Sequence, residues 1–354
     1  MYELVKRLWL GVVLIAATSA FLLVSDTARV SAIPRVAVLQ FSSMEALDDG
    51  ARGLLDYLRE HGYDGTHRAV IERFNAENDV ATGIAIAREI TSGKYRYVIT
   101  ISTNCLQAVA NANREGKAKH LFGVVADPVA AKVGIDPRDP SKKPRYMTGI
   151  GSLMPIDEVM AIARRMNPRV QRFGIPWNPS QANSERYMQL ARAAAKEMNV
   201  EILEGSVDNS AAVGEVTASL IARGADVIVV IGDVTVGMAI DSVVAEAKKG
   251  KVPVIGALPA HVRRGVLFGA GADFYQVGRQ MGELALRMLN GEDPANIPIV
   301  YSMPKQYGVN LTAVNGLRDA WLVPPDLVAK CKTVVGAAGV KMNPWSPVPP
   351  NPRQ

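Results

Sequence analysis

Apolar residues in this chain follow two alternating patterns. Short, mostly apolar runs, such as residues 36–39, 97–101 and 226–231, are typical of strands buried on both faces of a sheet. After each run, apolar positions recur every three or four residues, as in residues 46–59, which is typical of a helix with one buried side. Single helices between strands indicate right-handed crossovers and parallel sheets. The pattern therefore predicts an α/β fold.

The strand–helix pattern runs through the chain twice, and the second series begins near Met147. This division predicts two doubly wound lobes of parallel sheet. A late helix over residues 272–290 and short strands near 297–300 and 309–311 are expected to return the chain to the first lobe and back. The predicted parts are residues 34–149 plus 268–297 for lobe 1, 150–267 plus 298–332 for lobe 2, and 333–354 for a proline-rich, disordered tail.

Residues 1–33 have the features of an export signal, with an N-terminal apolar helix. Lys6 and Arg7 precede an uncharged run over residues 8–24, and Val30-Ser31-Ala32 suits cleavage before Ile33. The alternative is an uncleaved membrane anchor, since this run is close to the shortest that spans a bilayer. Both interpretations place the body of the protein outside the cytoplasm, in a periplasmic or similar space.

Composition narrows the classes of function. The 354 residues are 48% hydrophobic and 21% charged, which is a globular composition. The two cysteines exclude a disulfide framework, and the four histidines are scattered without a zinc-binding spacing, so we expect no metal site. The net charge of +6 is not gathered into a basic tract. Nothing in the charge pattern therefore indicates nucleic-acid binding.

Motifs for nucleotide chemistry and catalysis are missing from the sequence. No glycine loop ends in Gly-Lys-Ser/Thr, and there is no Gly-x-Ser-x-Gly sequence. Gly149-Ile150-Gly151 looks like the start of a dinucleotide-binding loop, but Met154 stands in place of the third glycine. We expect no cofactor and no enzymatic activity. A catalytic set assembled across the fold is the alternative that sequence alone leaves open.

Polar side chains follow almost every predicted strand. In a doubly wound sheet, the carboxyl ends of the strands line the ligand crevice, so these residues are candidates for ligand binding. Helix N–H groups at such positions suit a carboxylate, and aspartates suit an ammonium group, which together would fit an amino acid. The candidates are Ser42, Ser102, Thr103, Asp127, Asn178, Asp233 and Thr235.

Two structural alternatives stand beside these candidates. Ser, Thr, Asp and Asn at strand ends are also ordinary N-caps of the helix that follows. Phe41, Trp177 and Tyr275 could form stacking surfaces for a flat apolar ligand, but aromatic residues at such positions also belong to hydrophobic cores. The sequence does not decide between these readings.

Several tracts of the chain resemble one protein family. The tracts are Val-Ala-Asp-Pro-Val-Ala-Ala at 125–131, Trp-Asn-Pro-Ser-Gln-Ala-Asn-Ser at 177–184, Gly-Ala-Asp-Phe-Tyr-Gln-Val-Gly-Arg-Gln at 271–280 and Ile-Pro-Ile-Val-Tyr at 297–301. In this order they are similar to the extracytoplasmic substrate-binding proteins of ABC transporters, in the branch associated with tryptophan and other aromatic amino acids. The resemblance covers about residues 34–330. It implies the type I periplasmic-binding fold, with three crossovers joining two lobes.

The resemblance also implies roles for individual residues. It places Asp127 in the cleft from the first lobe, and Asn178, Asn183 and Ser184 from the second. Asp233 stands where the family usually has Thr-Asp-Asn. Here its neighbours are Gly232 and Val234, so a hydroxyl and an amide are missing, and Thr235 is the nearest substitute. Asp273 and Tyr275 match an acidic–aromatic pair near the hinge.

The function implied by the resemblance is solute binding for an ABC importer. Two lobes close on a small polar ligand, and an aromatic amino acid is favoured. The expected partners are that ligand and a membrane permease, and the protein itself is expected to be a monomer. The alternative is a membrane-anchored sensor with the same binding fold, which an uncleaved helix over residues 8–24 would favour. An enzyme on a similar fold is the third hypothesis.

Overall fold

Two β-sheets organise residues 33–65 and 67–343, which this computed structural model describes together with Trp9, Ile15 and residues 17–19. The strands are β1 (Arg35–Gln40), β2 (Val70–Asn75), β3 (Tyr97–Ile101), β4 (Lys119–Val125), β5 (Met147–Gly151), β6 (Arg172–Trp177), β7 (Glu201–Ser206), β8 (Val227–Val230), β9 (Val254–Gly256), β10 (Phe268–Ala272), β11 (Val300–Tyr301), β12 (Lys305–Asn310), β13 (Thr333–Gly336) and β14 (Gly339–Met342). The helices are α1 (Glu45–Glu60), α2 (Val80–Ile90), α3 (Thr103–Ala112), α4 (Ile156–Met166), α5 (Ala182–Met198), α6 (Val213–Ala222), α7 (Val234–Met238), α8 (Ile240–Lys249), α9 (Phe274–Leu289) and α10 (Pro325–Lys330).

The first sheet forms lobe 1 and has six parallel strands in the order β11-β5-β4-β3-β1-β2. Its central strand β3 is buried along its whole length, as expected for a sheet covered on both faces. Helix α1 packs against α9, and α2 packs against α3. These helices supply the apolar sides that the sequence pattern predicts.

The second sheet forms lobe 2, and its order is β14-β13-β12-β10-β9-β8-β6-β7. Strands β6 to β10 are parallel, whereas β12 runs antiparallel to β10 and β14 antiparallel to β13. Helix α4 packs against α5, and α6 packs against α8. The predicted fold class is confirmed, with a mixed edge added to the second sheet.

Both sheets contain the same strand order at their centre. Within each lobe, the first strand lies between the second and the third, as β1 lies between β2 and β3, and β6 between β7 and β8. The second strand is therefore added on one side of the first strand and the third on the other side, so the strand order switches between β1 and β3 and between β6 and β8. In open α/β sheets the ligand crevice lies outside the carboxyl ends of the strands at such a switch point. The topology therefore places a candidate site between the two lobes.

Three crossovers join the lobes, and they correct the predicted boundaries. The chain passes from β5 to α4, from β10 to α9, and from β11 to β12. The whole of β5 pairs with β4 and belongs to lobe 1, so the first boundary lies after residue 151 and not at Gly149. Strand β10 pairs with β9 and so belongs to lobe 2, although the pattern assigned it to lobe 1. Strand β11 pairs with β5 and so belongs to lobe 1, although the pattern assigned it to lobe 2.

Glycines allow a close approach of two helices in lobe 1. A Cβ atom on Gly53 of α1 would lie 2.1 Å from the carbonyl oxygen of Tyr275 on α9. A Cβ on Gly278 would lie 2.2 Å from the carbonyl oxygen of Gly50. The backbones are therefore in direct contact, which ties the returning helix α9 firmly to lobe 1.

The two ends of the chain differ from the sequence predictions in different ways. Residues 333–343 are not a disordered tail, because β13 and β14 form a hairpin at the edge of the second sheet; residues 344–354 lie outside the described residues. Most of the predicted helix over residues 8–24 also lies outside them, although Trp9, Ile15 and residues 17–19 are helical. Among the residues that are described, no helix is both long and apolar enough to cross a membrane.

Candidate functional site

A cavity lies between the lobes at the two switch points, and its volume is about 40 Å³. Ser102 follows β3 of lobe 1, and Gly232 comes two residues after β8 of lobe 2. The lining residues are Met44, Ala46, Leu47, Ser102, Thr103, Asn104, Val124, Ala126, Ser152, Met154, Asn183, Tyr187, Gly232, Val234, Leu258 and Phe274.

The wall of the cavity is mostly apolar and carries no charged side chain among the residues that line it. Lobe 1 contributes Met44, Leu47 and Phe274, while lobe 2 contributes Met154 and Tyr187. Burial raises the pKa of the Tyr187 phenol, so the ring stays neutral. The wall therefore favours a ligand with an apolar body.

Polar groups gather where α3 begins. Ser102 caps this helix, since its Oγ accepts a hydrogen bond from the N–H of Cys105 at 3.1 Å. The N–H groups of Thr103 and Asn104 have no acceptor within the described part of the chain. Ser102 has a φ of 122°, a strained value for a residue with a side chain. These free N–H groups, with the helix dipole, suit a carbonyl or carboxylate of a ligand.

Asn183 presents one acceptor to the cavity from lobe 2. Its Nδ2 donates to the carbonyl oxygen of Gly232 at 2.7 Å, which fixes the amide. Its Oδ1 is buried and has no hydrogen-bond partner among the residues described. A buried acceptor without a partner is costly, so this oxygen is suited to an N–H or O–H donor on a ligand.

The other predicted polar residues of lobe 2 bond to one another behind the cavity wall. Asp233 caps α7 through the N–H of Val236 at 3.0 Å, and its second oxygen accepts from the Ser184 hydroxyl at 2.5 Å and the Asn178 N–H at 2.7 Å. The Asn178 amide donates to Thr235 Oγ1 at 3.0 Å. Burial raises the pKa of Asp233, and these hydrogen bonds oppose the rise. None of Asn178, Ser184, Asp233 and Thr235 lines the cavity.

The packing explains why a glycine, and not the threonine usual in the family, precedes Asp233. A Cβ atom there would lie 2.3 Å from the Met154 methyl carbon and 2.4 Å from the Tyr187 ring. A side chain at this position would displace the wall of the cavity. The hydroxyl expected from the resemblance is therefore replaced by apolar surface.

Asp127 lies outside the cavity and joins the lobes. Its Oδ1 accepts from the N–H groups of Val129 and Ala130 at 3.0 and 3.1 Å. Its Oδ2 accepts from Arg186 Nε on α5 at 2.9 Å. The predicted ammonium partner is thus occupied by a cation of the protein itself. Since Asp127 belongs to lobe 1 and Arg186 to lobe 2, the pair bridges the two lobes.

The remaining predicted residues lie in the core or near the hinge. Phe41 and Trp177 are buried in the main hydrophobic core, and the buried Ser42 hydroxyl has no partner in the described residues. Asp273 caps α9 at the second crossover and pairs with Lys332 at 2.9 Å. Tyr275 donates to Asp56 at 3.2 Å and lines a surface groove there. The structure places none of these in the cavity wall.

Three predicted residues reach the cavity, namely Ser102, Thr103 and Asn183. Asn104, next in sequence to Thr103, was missed although it belongs to the same polar tract. Tyr187 was missed because an aromatic residue inside a helix carries no local signal that separates a cavity wall from a core. Phe274 was missed although it stands two residues after β10, at a strand end. Among the described residues, no group of three or more His, Cys, Asp or Glu side chains could hold a metal ion.

Comparisons with known proteins agree with this geometry. A family model described as ABC transporter substrate binding protein matches residues 35–320. A Tyrosine-binding protein of Clostridioides difficile (strain R20291) is 27% identical over 264 residues, which are 75% of each chain.

Two solved structures cover most of the chain. The ABC domain in complex with L-Trp from Streptococcus pneumonia is 22% identical, with a TM-score of 0.78, and covers 85% of this chain and 99% of its own. The ligand-free, open structure of a substrate-binding protein with adhesive properties from Clostridium difficile is 26% identical, with a TM-score of 0.60, and covers 81% and 96%.

Proposed function

This chain belongs to the ABC transporter substrate binding protein family, and we propose that it captures a small aromatic solute outside the cytoplasm for an ABC importer. The cavity between the lobes carries this proposal. Its apolar wall suits a flat ring, and the free N–H groups at the start of α3 suit one polar end. Two relatives are named for aromatic amino acids, one as a tyrosine-binding protein and one as a complex with L-Trp.

Capture depends on closure of the lobes around the ligand. Helix α3 of lobe 1 contacts α5 of lobe 2, and the Asp127–Arg186 ion pair joins the same two lobes. A Cβ on Gly237 would lie 2.8 Å from the Met44 sulfur, so α7 also touches the segment before α1. A ligand held by both lobes stabilises this closed state over an open one by its differential affinity. The permease then distinguishes the closed form, and no covalent step is needed.

A thermal-shift screen of the purified full chain tests the proposal. The panel contains amino acids, aromatic acids, sugars, nucleosides and small peptides. A ligand that binds only the folded state raises the apparent stability by an amount that grows with its concentration. We expect a shift with aromatic solutes. A folded protein that shifts with no panel member, or only with sugars, would contradict the proposal.

A further inference from the structure

We infer that the cavity recognises an aromatic monocarboxylic acid that lacks the α-ammonium group of an amino acid. This inference rests on the proposed function and names the class of solute. It follows from the charges that the cavity lacks, from the donors and acceptors that it offers, and from the engagement of the nearby aspartates.

An ammonium group would find no counter-charge in this cavity. None of the side chains lining it is charged. A buried cation without a paired anion is strongly unfavourable, and a neutral amide oxygen such as that of Asn183 does not compensate for its desolvation. The wall that closes around the ligand would therefore select against the ammonium group of an amino acid.

The two aspartates that the sequence offers as ammonium partners, Asp233 and Asp127, are already engaged, and so is Asp273 near the hinge. Asp233 is fully buried and accepts from two backbone N–H groups and one hydroxyl. Turning its carboxylate toward the cavity would leave those buried donors without an acceptor. Asp127 is paired with Arg186, and Asp273 is paired with Lys332 at the hinge. Asp127, Asp233 and Asp273 are thus not free to meet a ligand in the cavity.

The donors and acceptors that do face the cavity fit an aromatic acid. The free N–H groups of Thr103 and Asn104, at the positive end of the ten-residue helix α3, suit a carboxylate. An independent observation comes from lobe 2, where Asn183 is 7% exposed and its Oδ1 has no partner among the described residues. This oxygen suits a ring N–H or phenol O–H. The apolar wall lies between these two polar ends.

Four ligands with the same indole ring separate the possibilities. L-Tryptophan carries both charges, 3-indolepropionic acid only the carboxylate, tryptamine only the ammonium, and 3-indolepropionamide neither. Affinities of the full chain are measured by calorimetry, and the corresponding phenol series is measured in parallel. We expect the acid to bind at least about tenfold more tightly than the amino acid, since the ammonium must be desolvated without a counter-charge.

The outcomes distinguish this inference from the proposed function. Tighter binding of tryptophan or tryptamine overturns the inference while leaving the proposed function intact. Tighter binding of the neutral amide overturns the carboxylate assignment. If no member of either series binds, the inference fails, and the wider panel described above then decides the proposed function separately.

A charge variant adds a second readout. Asn104 lines the cavity, and its side chain makes no hydrogen bond within the described residues. Asn104→Asp should fold, because an acid in the first turn of a helix is favourable. It should weaken binding of 3-indolepropionic acid by about tenfold or more through repulsion, and favour tryptamine. Asn111→Asp adds the same charge at an exposed position on α3 and should leave both affinities unchanged; equal effects of the two variants would contradict the assignment.

Discussion

Replacement of Asp233 by alanine separates a structural carboxylate from a ligand-binding one. The fully buried side chain caps α7 and accepts from the Asn178 N–H and the Ser184 hydroxyl. Loss of a helix cap costs about 1 kcal/mol. Each buried donor left without an acceptor costs about 1–3 kcal/mol more. Because the variant also removes a carboxyl group whose pKa burial has raised, we expect a net loss of about 3–5 kcal/mol.

This loss should appear in thermal unfolding. For a chain of 354 residues, 1 kcal/mol corresponds to about 1.5 °C, so the Tm should fall by about 5 °C. Circular dichroism gives the Tm, and calorimetry on the folded protein gives the ligand affinity. Asp208→Ala is the matched control, since Asp208 is exposed and follows the neighbouring strand β7. It should leave the Tm almost unchanged.

The opposite pattern would refute this reasoning. If Asp233→Ala keeps the Tm of the parent protein and loses ligand affinity by two orders of magnitude or more, the carboxylate contacts the ligand. The network in lobe 2 would then have to open on binding. Asp233→Asn gives an intermediate test, because an amide keeps one acceptor oxygen for the buried donors but carries no charge.

Three further perturbations test the lobes and their contact. Arg186→Gln removes the ion pair between the lobes, which is worth about 1 kcal/mol for partly exposed groups. Ligand affinity should therefore fall about fivefold at low salt and little at high salt. Equal affinities of the variant and the parent protein at low salt would exclude a contribution of this pair to closure. Burial, assisted by a neighbouring arginine, lowers the pKa of His261 from 6.5 to about 4. Its stabilising contribution is therefore fully present above pH 6.5 and is lost as the pH falls toward 4. The parent protein should lose stability between pH 7 and pH 5 in urea titrations, and His261→Gln should make that loss smaller by about 2 kcal/mol. An unchanged pH profile would contradict the shift. Gly53→Ala would press a methyl group against α9 and should cost about 3 kcal/mol, whereas Gly214→Ala, whose nearest neighbour is 3.6 Å away, should cost nothing in the same urea assay.

The secondary structure was predictable because its signals are local. The run of four buried apolar residues in β8 and the helical spacing in α1 each depend on a few consecutive residues. The lobe boundaries were not predictable in this way. Strand β10 directly precedes a helix of lobe 1, yet its hydrogen-bond partners β9 and β12 lie in lobe 2. Sheet membership depends on pairing between distant segments, which periodicity does not contain.

The site was predictable only in part, because caps and ligand donors use the same residue types. Ser102 and Thr103 stand after β3, and Asn178 and Asp233 stand after β6 and β8. From the sequence the two pairs are equivalent. In the structure, Ser102 and Thr103 line the cavity, whereas Asn178 and Asp233 form hydrogen bonds within lobe 2. Whether a polar group finds a partner inside the protein is decided by packing across elements.

This difference between the lobes gives the ligand a direction. In lobe 1 the cap of α3 uses the Ser102 hydroxyl for one N–H and leaves two others open to the cavity. In lobe 2 the capping carboxylate of Asp233 is closed off, and Met154 and Tyr187 fill the space beside Gly232. A ligand would therefore place its charged end on lobe 1 and its ring against lobe 2. On the inference drawn above, lobe 1 would select the charge of the solute, while lobe 2 would select the shape and the single donor of its ring.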